Sequence, residues 1–299
     1  MASSEMVSAG ARFRALIDGP DVLLLPGVHS ALSARIAERA GARAAYLSGS
    51  AVSMSLFGLP DIGLMTGTEM IDEARRVVLA TALPIICDAD TGYGNAVNVL
   101  RTVRLYEATA VAGVQIEDQA FPKRCGHFDG KSLISREEMV GKVRAAVAAR
   151  RDRDFVIIAR TDAIEDLGVG EAIERGLAYA EAGADVIFVE APQTEQDLRL
   201  IGEAIKVPLI VNVVEGGKTP HLSLDEYAAM GYRIVLYPTT NVRVVARALE
   251  EYYQYLVATG TSAGLSHGIL GFDERNELNE LRRYQDWERT YLPATKEGG

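Results

Sequence analysis

The pentad Lys123-Arg124-Cys125-Gly126-His127 sets a thiol between two cations and an imidazole. Such surroundings lower a thiol's pKa and suit it to moving a proton. His127 is the expected proton partner of Cys125 or a substrate ligand. Upstream, Asp88 with Asp90 and then Glu117 each close an apolar run. They offer hard oxygen ligands with no clustered His or Cys, which favours Mg2+ or Mn2+ over Zn2+. Such an ion keeps waters, so part of this carboxylate set is expected to act through water, with Asp61 of Gly58-Leu59-Pro60-Asp61 as a fourth acid. Arg160 ends another run as Ala159-Arg160-Thr161-Asp162, where a guanidinium can hold a carboxylate through two parallel hydrogen bonds. Arg243 is a second, weaker clamp. Metal plus arginine suits a small 2-oxo or 2-hydroxy acid. In Tyr46-Leu47-Ser48-Gly49-Ser50, the glycine lets backbone amides approach a carboxylate and the phenol of Tyr46 could relay a proton. Gly92-Tyr93-Gly94 lacks the third glycine and the lysine of a phosphate loop, so nothing points to a nucleotide. His29, His221 and His267 have no metal-site spacing.

These residues have to be brought together by the elements that carry them. Short apolar runs lie at 22–26, 44–48, 85–88, 113–117, 155–161, 186–190, 209–213 and 234–237, and helical periodicity lies between and after them at 30–40, 69–80, 95–108, 136–150, 170–182, 194–205, 223–230 and 240–258. Strict alternation of this kind predicts a parallel (β/α)8 barrel, an α/β fold, forming one domain over 1–299 with its core at about 10–290. Gly41, Gly183 and Gly231 stand where helices should stop. In such a barrel the catalytic residues sit at the carboxyl ends of the strands, which here are Ser48, Asp88, Glu117, Arg160, Glu190, Asn212 and Tyr237. Two connections exceed the usual length, 49–68 and 118–135; the second carries the pentad and reads as a mobile lid. A charged segment from Leu270 to Trp287, with Leu278 and Leu281 at helical spacing, extends past a minimal barrel and is expected to pack on a neighbouring subunit. Residues 1–10 and 294–299 are expected to be loose.

Composition sets outer limits. The chain has 299 residues, 48% of them hydrophobic, and a formal charge of −10, which disfavours nucleic acid and anionic membrane as partners while leaving room for anionic substrates at local arginines. No apolar run is long enough to span a bilayer, and the start lacks a signal-peptide pattern, so a cytoplasmic protein is expected. The two cysteines, Cys87 and Cys125, make no disulfide framework, and Cys87 inside an apolar run is expected to be an inert core thiol.

Several phrases together resemble the isocitrate lyase and phosphoenolpyruvate mutase superfamily: Tyr46-Leu47-Ser48-Gly49, Gly58-Leu59-Pro60-Asp61, Asp88-Ala89-Asp90-Thr91-Gly92-Tyr93-Gly94, Ile116-Glu117-Asp118-Gln119, the pentad, Ala159-Arg160-Thr161-Asp162 and Glu215-Gly216-Gly217-Lys218-Thr219-Pro220. The resemblance implies a barrel whose eighth helix is exchanged between subunits of a homotetramer, built as a dimer of dimers. It implies Mg2+ held by Asp88, with Asp90, Glu117 and Asp61 on its waters. By the same resemblance Ser48, Gly49 and Arg160 grip a pyruvyl-type moiety, Ser50, Lys123, Arg124 and Gly126 add substrate contacts, and Glu190 and Asn212 complete the wall. The pentad is similar to that of lyases acting on 2-methylisocitrate or 2,3-dimethylmalate. Cleavage of a 2-hydroxy di- or tricarboxylate to a 2-oxo acid is therefore implied, with Tyr46 as candidate base and Cys125 as the acid that quenches the carbanion. Carboxyphosphonoenolpyruvate phosphonomutase shares both the pentad and the Glu-Gly-Gly-Lys-Thr-Pro phrase, so phosphonomutase chemistry is the alternative, as is oxaloacetate decarboxylation or hydrolysis. Gly216 and Thr239-Thr240 depart from the methylisocitrate lyase pattern where the substrate's second half would lie.

Overall fold

The structure is a computed structural model that describes residues 7–124, 126, 130–265 and 268–292. Eight parallel strands close on themselves in sequence order: β1 (Leu23–Val28), β2 (Ala45–Leu47), β3 (Ile85–Asp88), β4 (Gly113–Glu117), β5 (Val156–Thr161), β6 (Val186–Val189), β7 (Leu209–Asn212) and β8 (Tyr232–Tyr237), with β8 pairing back to β1. Every strand matches an expected run to within two residues, because short Val- and Ile-rich runs buried on both faces have few other ways to satisfy their backbone.

The helices are α1 (Ala9–Ile17), α2 (Ala31–Arg39), α3 (Gly49–Val52), α4 (Gly67–Ala80), α5 (Ala96–Glu107), α6 (Arg136–Ala149), α7 (Ile164–Glu181), α8 (Glu195–Ala204), α9 (Leu224–Ala229), α10 (Thr240–Thr259), α11 (Phe272–Leu278) and α12 (Leu281–Tyr291). Their starts are written in side chains. Ser30, Thr66, Asn95, Thr194 and Ser223 each close a capping box with the residue three positions on. α7 begins earlier than the expected 170, with a break at Gly168, where φ is +80°.

Two expectations are corrected. Residues 8–10 are not loose: Ser8 caps α1, and a Cβ on Gly10 would lie 2.4 Å from the Asp154 carbonyl oxygen. Phe13 and Ile17 of that helix join the cluster inside the barrel, so α1 seals its amino-terminal end. The segment after β2 is not an open loop. It continues as α3 and a π-helical turn, Ser53–Phe57, that ends at Gly58 with φ +63°.

The core has two layers set by the period of two along each strand. Leu25, Tyr46, Ile86, Ile158, Phe188, Ile210, Ile234 and Leu236 fill the barrel interior. Leu47, Ile85, Cys87, Ile116, Ile157, Ile187, Val211 and Val235 pack outward against the helices. Tyr237 falls on the outward side and packs with the outer layer. The sequence expectation that it ends β8 inside the site is therefore corrected by one residue: Leu236 lines the cavity. Cys87 is buried, and burial raises its thiol pKa, as expected for an inert core residue.

The chain divides into two compact units, one reaching Val244 and one starting at Val245. In the second, Leu278 is buried, and Tyr284 meets Trp287 edge to face with ring centroids 5.3 Å apart. No helix among the described residues is long and apolar enough to cross a membrane.

Candidate active site

The alternation that buries Tyr46, Ile86, Ile158, Phe188 and Ile210 inside the barrel carries Ser48, Asp88, Arg160, Glu190 and Asn212 to the same face, one pleat further toward the carboxyl end. They line a cavity of about 490 Å3 together with Tyr46, Ser50, Asp61, Lys123, Arg124, Gly126 and Arg243. Gly49, Asp90 and Glu117 lie behind this wall, the first two against a smaller recess beside Asp61 and Lys123. Cys125 and His127 lie outside the described residues.

Asp88 is anchored at both oxygens: Oδ1 accepts the Asp90 amide at 3.0 Å and Oδ2 accepts the Gly49 amide at 3.2 Å. A Cβ on Gly49 would fall 2.9 Å from Asp88 Oδ2, so only glycine lets the α3 amino terminus come this close. Asp90 itself has a left-handed backbone, with φ +46°, a conformation sparsely used by non-glycine residues and often kept at functional sites. Lys123 Nζ reaches Asp61 Oδ1 at 2.5 Å and Asp90 Oδ1 at 2.9 Å. The second contact is an ion pair without a directed hydrogen bond, leaving Asp90 Oδ1 orphaned in that sense. Burial raises the Asp90 carboxyl to about 6, with Lys123 opposing the rise and Asp88 adding to it. Burial also lowers the Lys123 ammonium, but Asp90, Asp61 and Glu117 together raise it well above its ordinary value.

Glu117 is deeper. Among the described residues its Oε1 has no hydrogen-bond partner, and its Oε2 has only Gln115 Nε2 at 3.5 Å and Arg160 Nε at 3.5 Å. Burial raises its pKa well above the carboxylate range against the pull of Arg160 and Lys123. Buried carboxylates that are under-satisfied want a proton or a cation. Among the described residues no group of three or more His, Cys, Asp or Glu converges closely enough to ligate an ion by itself. The donors thus fit a hydrated hard cation held directly by few oxygens, not a closed protein cage.

Arg160 differs from expectation in detail. Its Nε and Nη2 each donate to Asp162 at 2.9 Å, so one fork of the guanidinium is already taken. Glu190 Oε1 lies 3.8 Å from Nη2, and the Phe188 ring lies 5.1 Å from Cζ. The Nη1–Nη2 edge is what remains for a ligand carboxylate. Burial lowers the Arg160 pKa, but Asp162, Glu190 and Glu117 raise it further, so the group stays charged. Asn212 Nδ2 donates to both Glu190 oxygens, at 3.1 and 3.3 Å, while its own buried Oδ1 has no hydrogen-bond partner among the described residues.

Tyr46 donates its phenol hydrogen to Gln115 Oε1 at 2.5 Å. Burial and then Asp88 raise its pKa well above that of a free phenol. A phenol held protonated in this way is an orienting group, and these observations weigh against the expected role as base. Gln115 was missed as a functional partner; its signal was parity, two residues before Glu117 on the same face of β4. Phe188 and Leu236 were missed for the same reason. Met54, Val214, Pro238 and Val242 join them as apolar lining; the first three come from connections with no period to read, and Val242 stands in the first turn of α10. Arg243 is tied to the Glu215 carbonyl at 2.9 Å and to its carboxylate at 3.4 Å, at the cavity rim. His29 and His221 contact Asn241 and the Val214 carbonyl, and neither lines the cavity.

Residues 13–257 match the family model described as phosphoenolpyruvate phosphomutase. The chain belongs to the phosphoenolpyruvate mutase/isocitrate lyase superfamily. The 2,3-dimethylmalate lyase of Eubacterium barkeri is 45% identical over 95% of this chain and 99% of its own length. A 2-methylisocitrate lyase of Halalkalibacterium halodurans is 44% identical over 93% of this chain and 90% of its own. Among solved structures, a 2,3-dimethylmalate lyase superposes with a TM-score of 0.90 at 34% identity, covering 98% of this chain and 99% of that one. A phosphonopyruvate hydrolase complex with oxalate and Mg2+ superposes with a TM-score of 0.87 at 33% identity, covering 96% and 100%. The resemblance read from the motifs and the barrel read from periodicity are both borne out, and this superfamily member is an enzyme.

Proposed function

We propose that this enzyme cleaves the carbon-carbon bond of a small 2-hydroxy dicarboxylate or tricarboxylate, of the 2,3-dimethylmalate or 2-methylisocitrate type, to pyruvate or another 2-oxo acid and a second carboxylic acid. One observation carries the reading: the cavity is lined by two kinds of side chain, first the remaining edge of Arg160 with Asp88 and Asp61, and second the apolar Leu236, Val214 and Val242. The first kind suits the hydroxy-acid end of a substrate; the second suits alkyl groups on the other half. The 41–45% identical relatives that are lyases support the same class.

Asp88 would hold Mg2+, or Mn2+, with Asp90, Glu117 and Asp61 on its water ligands. Such a cation supplies positive charge to the carboxylate and hydroxyl oxygens of the half that becomes the 2-oxo acid. Arg160 binds that carboxylate, and the amides at Gly49 and Ser50 with the Ser48 hydroxyl orient it. Tyr46, whose hydroxyl donates a hydrogen bond to Gln115, presents its oxygen lone pairs to the pocket. Lys123, Arg124 and Gly126 hold the segment beside the substrate, Glu190 and Asn212 set the far wall, and Arg243 takes the outer carboxylate. The hydroxyl proton passes through a held water to the Asp90 or Glu117 carboxylate as the bond breaks, and Cys125, with His127 as its partner, delivers its thiol proton to the carbanion on the departing half. Assembly belongs to the same reading: exposed Leu249, Tyr253 and Val257 along α10 support exchange of this helix within a homotetramer, which sedimentation would test.

The test is a lactate dehydrogenase-coupled pyruvate assay with Mg2+ across 2,3-dimethylmalate, 2-methylisocitrate, isocitrate and oxaloacetate. Pyruvate from one alkylated hydroxy acid, abolished by EDTA, is the expected result. Pyruvate from oxaloacetate alone would replace the proposal with decarboxylation, and a phosphonate product from a carboxyphosphonoenolpyruvate-type substrate would replace it with phosphonomutase chemistry.

A further inference from the structure

Lys131 belongs to none of the motifs above, and it does not touch the cavity. Its side chain is 1% exposed. A buried ammonium persists only where hydrogen bonds and opposite charge replace its water. Lys131 finds these in two parts of the chain. It donates to the backbone carbonyl of Gly126, lies 3.0 Å from Glu165 Oε2 near the start of α7, and lies 3.7 Å from Asp162 Oδ1 after β5. Glu165 Oε1 is in turn 3.2 Å from Lys218 Nζ, in the connection after β7. One carboxylate therefore takes a lysine at each oxygen, one from the connection after β4 and one from the connection after β7. The contact with Lys131 is ionic and undirected, since among the described residues Glu165 Oε2 has no hydrogen-bond partner.

What Lys131 holds matters to the site. Gly126 sits so close to the substrate clamp that a Cβ there would fall 2.2 Å from Arg160 Nη2 and 2.5 Å from Glu190 Oε1. Asp162 occupies the other fork of the same guanidinium. Lys131 thus touches both the peptide laid against Arg160 and the carboxylate that braces it.

We propose that Lys131 is a positioning residue that registers the Gly126 peptide against Arg160, and that Glu165 couples this register to the Lys218 segment after β7. The inference rests on the reading of this cavity as the acid-binding site, but its principal test needs no turnover, so the two can fail separately.

Limited trypsin digestion of the full chain without ligand, followed by mass spectrometry, reads cleavage after Arg124. Glu165→Gln keeps every lysine and arginine, so its cleavage sites match the wild type. Glu165→Gln and Lys131→Met should both speed this cut at least about tenfold, as local opening replaces a held contact, while global melting stays cooperative. Lys218→Met should speed it less, and Glu165→Gln/Lys218→Met should be no faster than Glu165→Gln alone, because both act through one carboxylate. In the pyruvate assay Lys131→Met should lower kcat/KM in proportion to the opening, and the exposed control Lys206→Met should leave both readouts unchanged. Wild-type cleavage after Arg124 in both Lys131→Met and Glu165→Gln would overturn the proposal. Independent, multiplying effects of Glu165→Gln and Lys218→Met would overturn the coupling. Should Lys131→Met not fold, the two Glu165 variants decide it. A wild type inert toward every hydroxy acid would remove the lyase reading and leave the digestion result standing.

Discussion

The Lys123 ammonium lies 2.9 Å from Asp90 Oδ1, and it reaches Asp61 from the same position, so the segment that carries the reactive pentad is pinned to the acidic cluster by its own first residue. Breaking a buried pair by removing one partner costs about 3–5 kcal/mol, because the other charge stays behind. Lys123→Met should therefore lower the melting temperature of the metal-free protein clearly at pH 8. At pH 5, where Asp90 takes up a proton, the loss should be smaller. Equal losses at both pH values, by calorimetry, would show that the pair does not contribute in this way.

Asp90 gives the pH dependence its sign. Its folded-state pKa of about 6 exceeds the ~3.9 of an unfolded aspartate, so the folded state binds that proton more tightly. Stability from this group is present below about pH 4 and is lost as pH rises through about 6. Measured against Asp90→Asn, the metal-free wild type should lose relative stability across that window. Saturating Mg2+ should reverse the trend, since the ionised carboxylate is the form that holds a hydrated cation. A difference between the two proteins that stays flat from pH 4 to 7 would contradict the assignment.

Gly126 admits no side chain without displacing Arg160 or Glu190. Gly126→Ala should fold with nearly the wild-type melting temperature, because the displaced groups are side-chain ends, yet lose about 100-fold in kcat/KM through misplacement of the clamp. Titration with oxalate and Mg2+ should show the same weakening. Unchanged oxalate affinity would place the substrate carboxylate away from Arg160.

Cys125→Ser should keep oxalate binding and lose about 100- to 10,000-fold in turnover, the usual contribution of a positioned acid. Wild-type turnover by this variant would remove the thiol from the reaction. Dialysis against EDTA should abolish turnover in the wild type, and Mg2+ should restore it.

The barrel was legible in the sequence because its information is local. Apolar runs such as 85–88 and 113–117 coincide with β3 and β4, and side chains such as Thr66 and Ser223 start helices through bonds three residues long. The acids and Arg160 were legible because a strand end is a local position, and a parallel barrel turns every strand end toward one rim. Helix α1 escaped because nine residues beside a terminus give a weak period, although Phe13, Leu16 and Ile17 share a face.

Tertiary structure alone decided what these groups are paired with. That Glu190 lies 3.8 Å from the Arg160 guanidinium, that Tyr46 donates its hydrogen bond to Gln115, and that Lys131 and Lys218 meet on Glu165 all depend on distances between segments far apart in sequence. Which residue type closes a strand is a property of the strand. The proton and charge each such residue holds is a property of its neighbours in space, and burial makes those neighbours count.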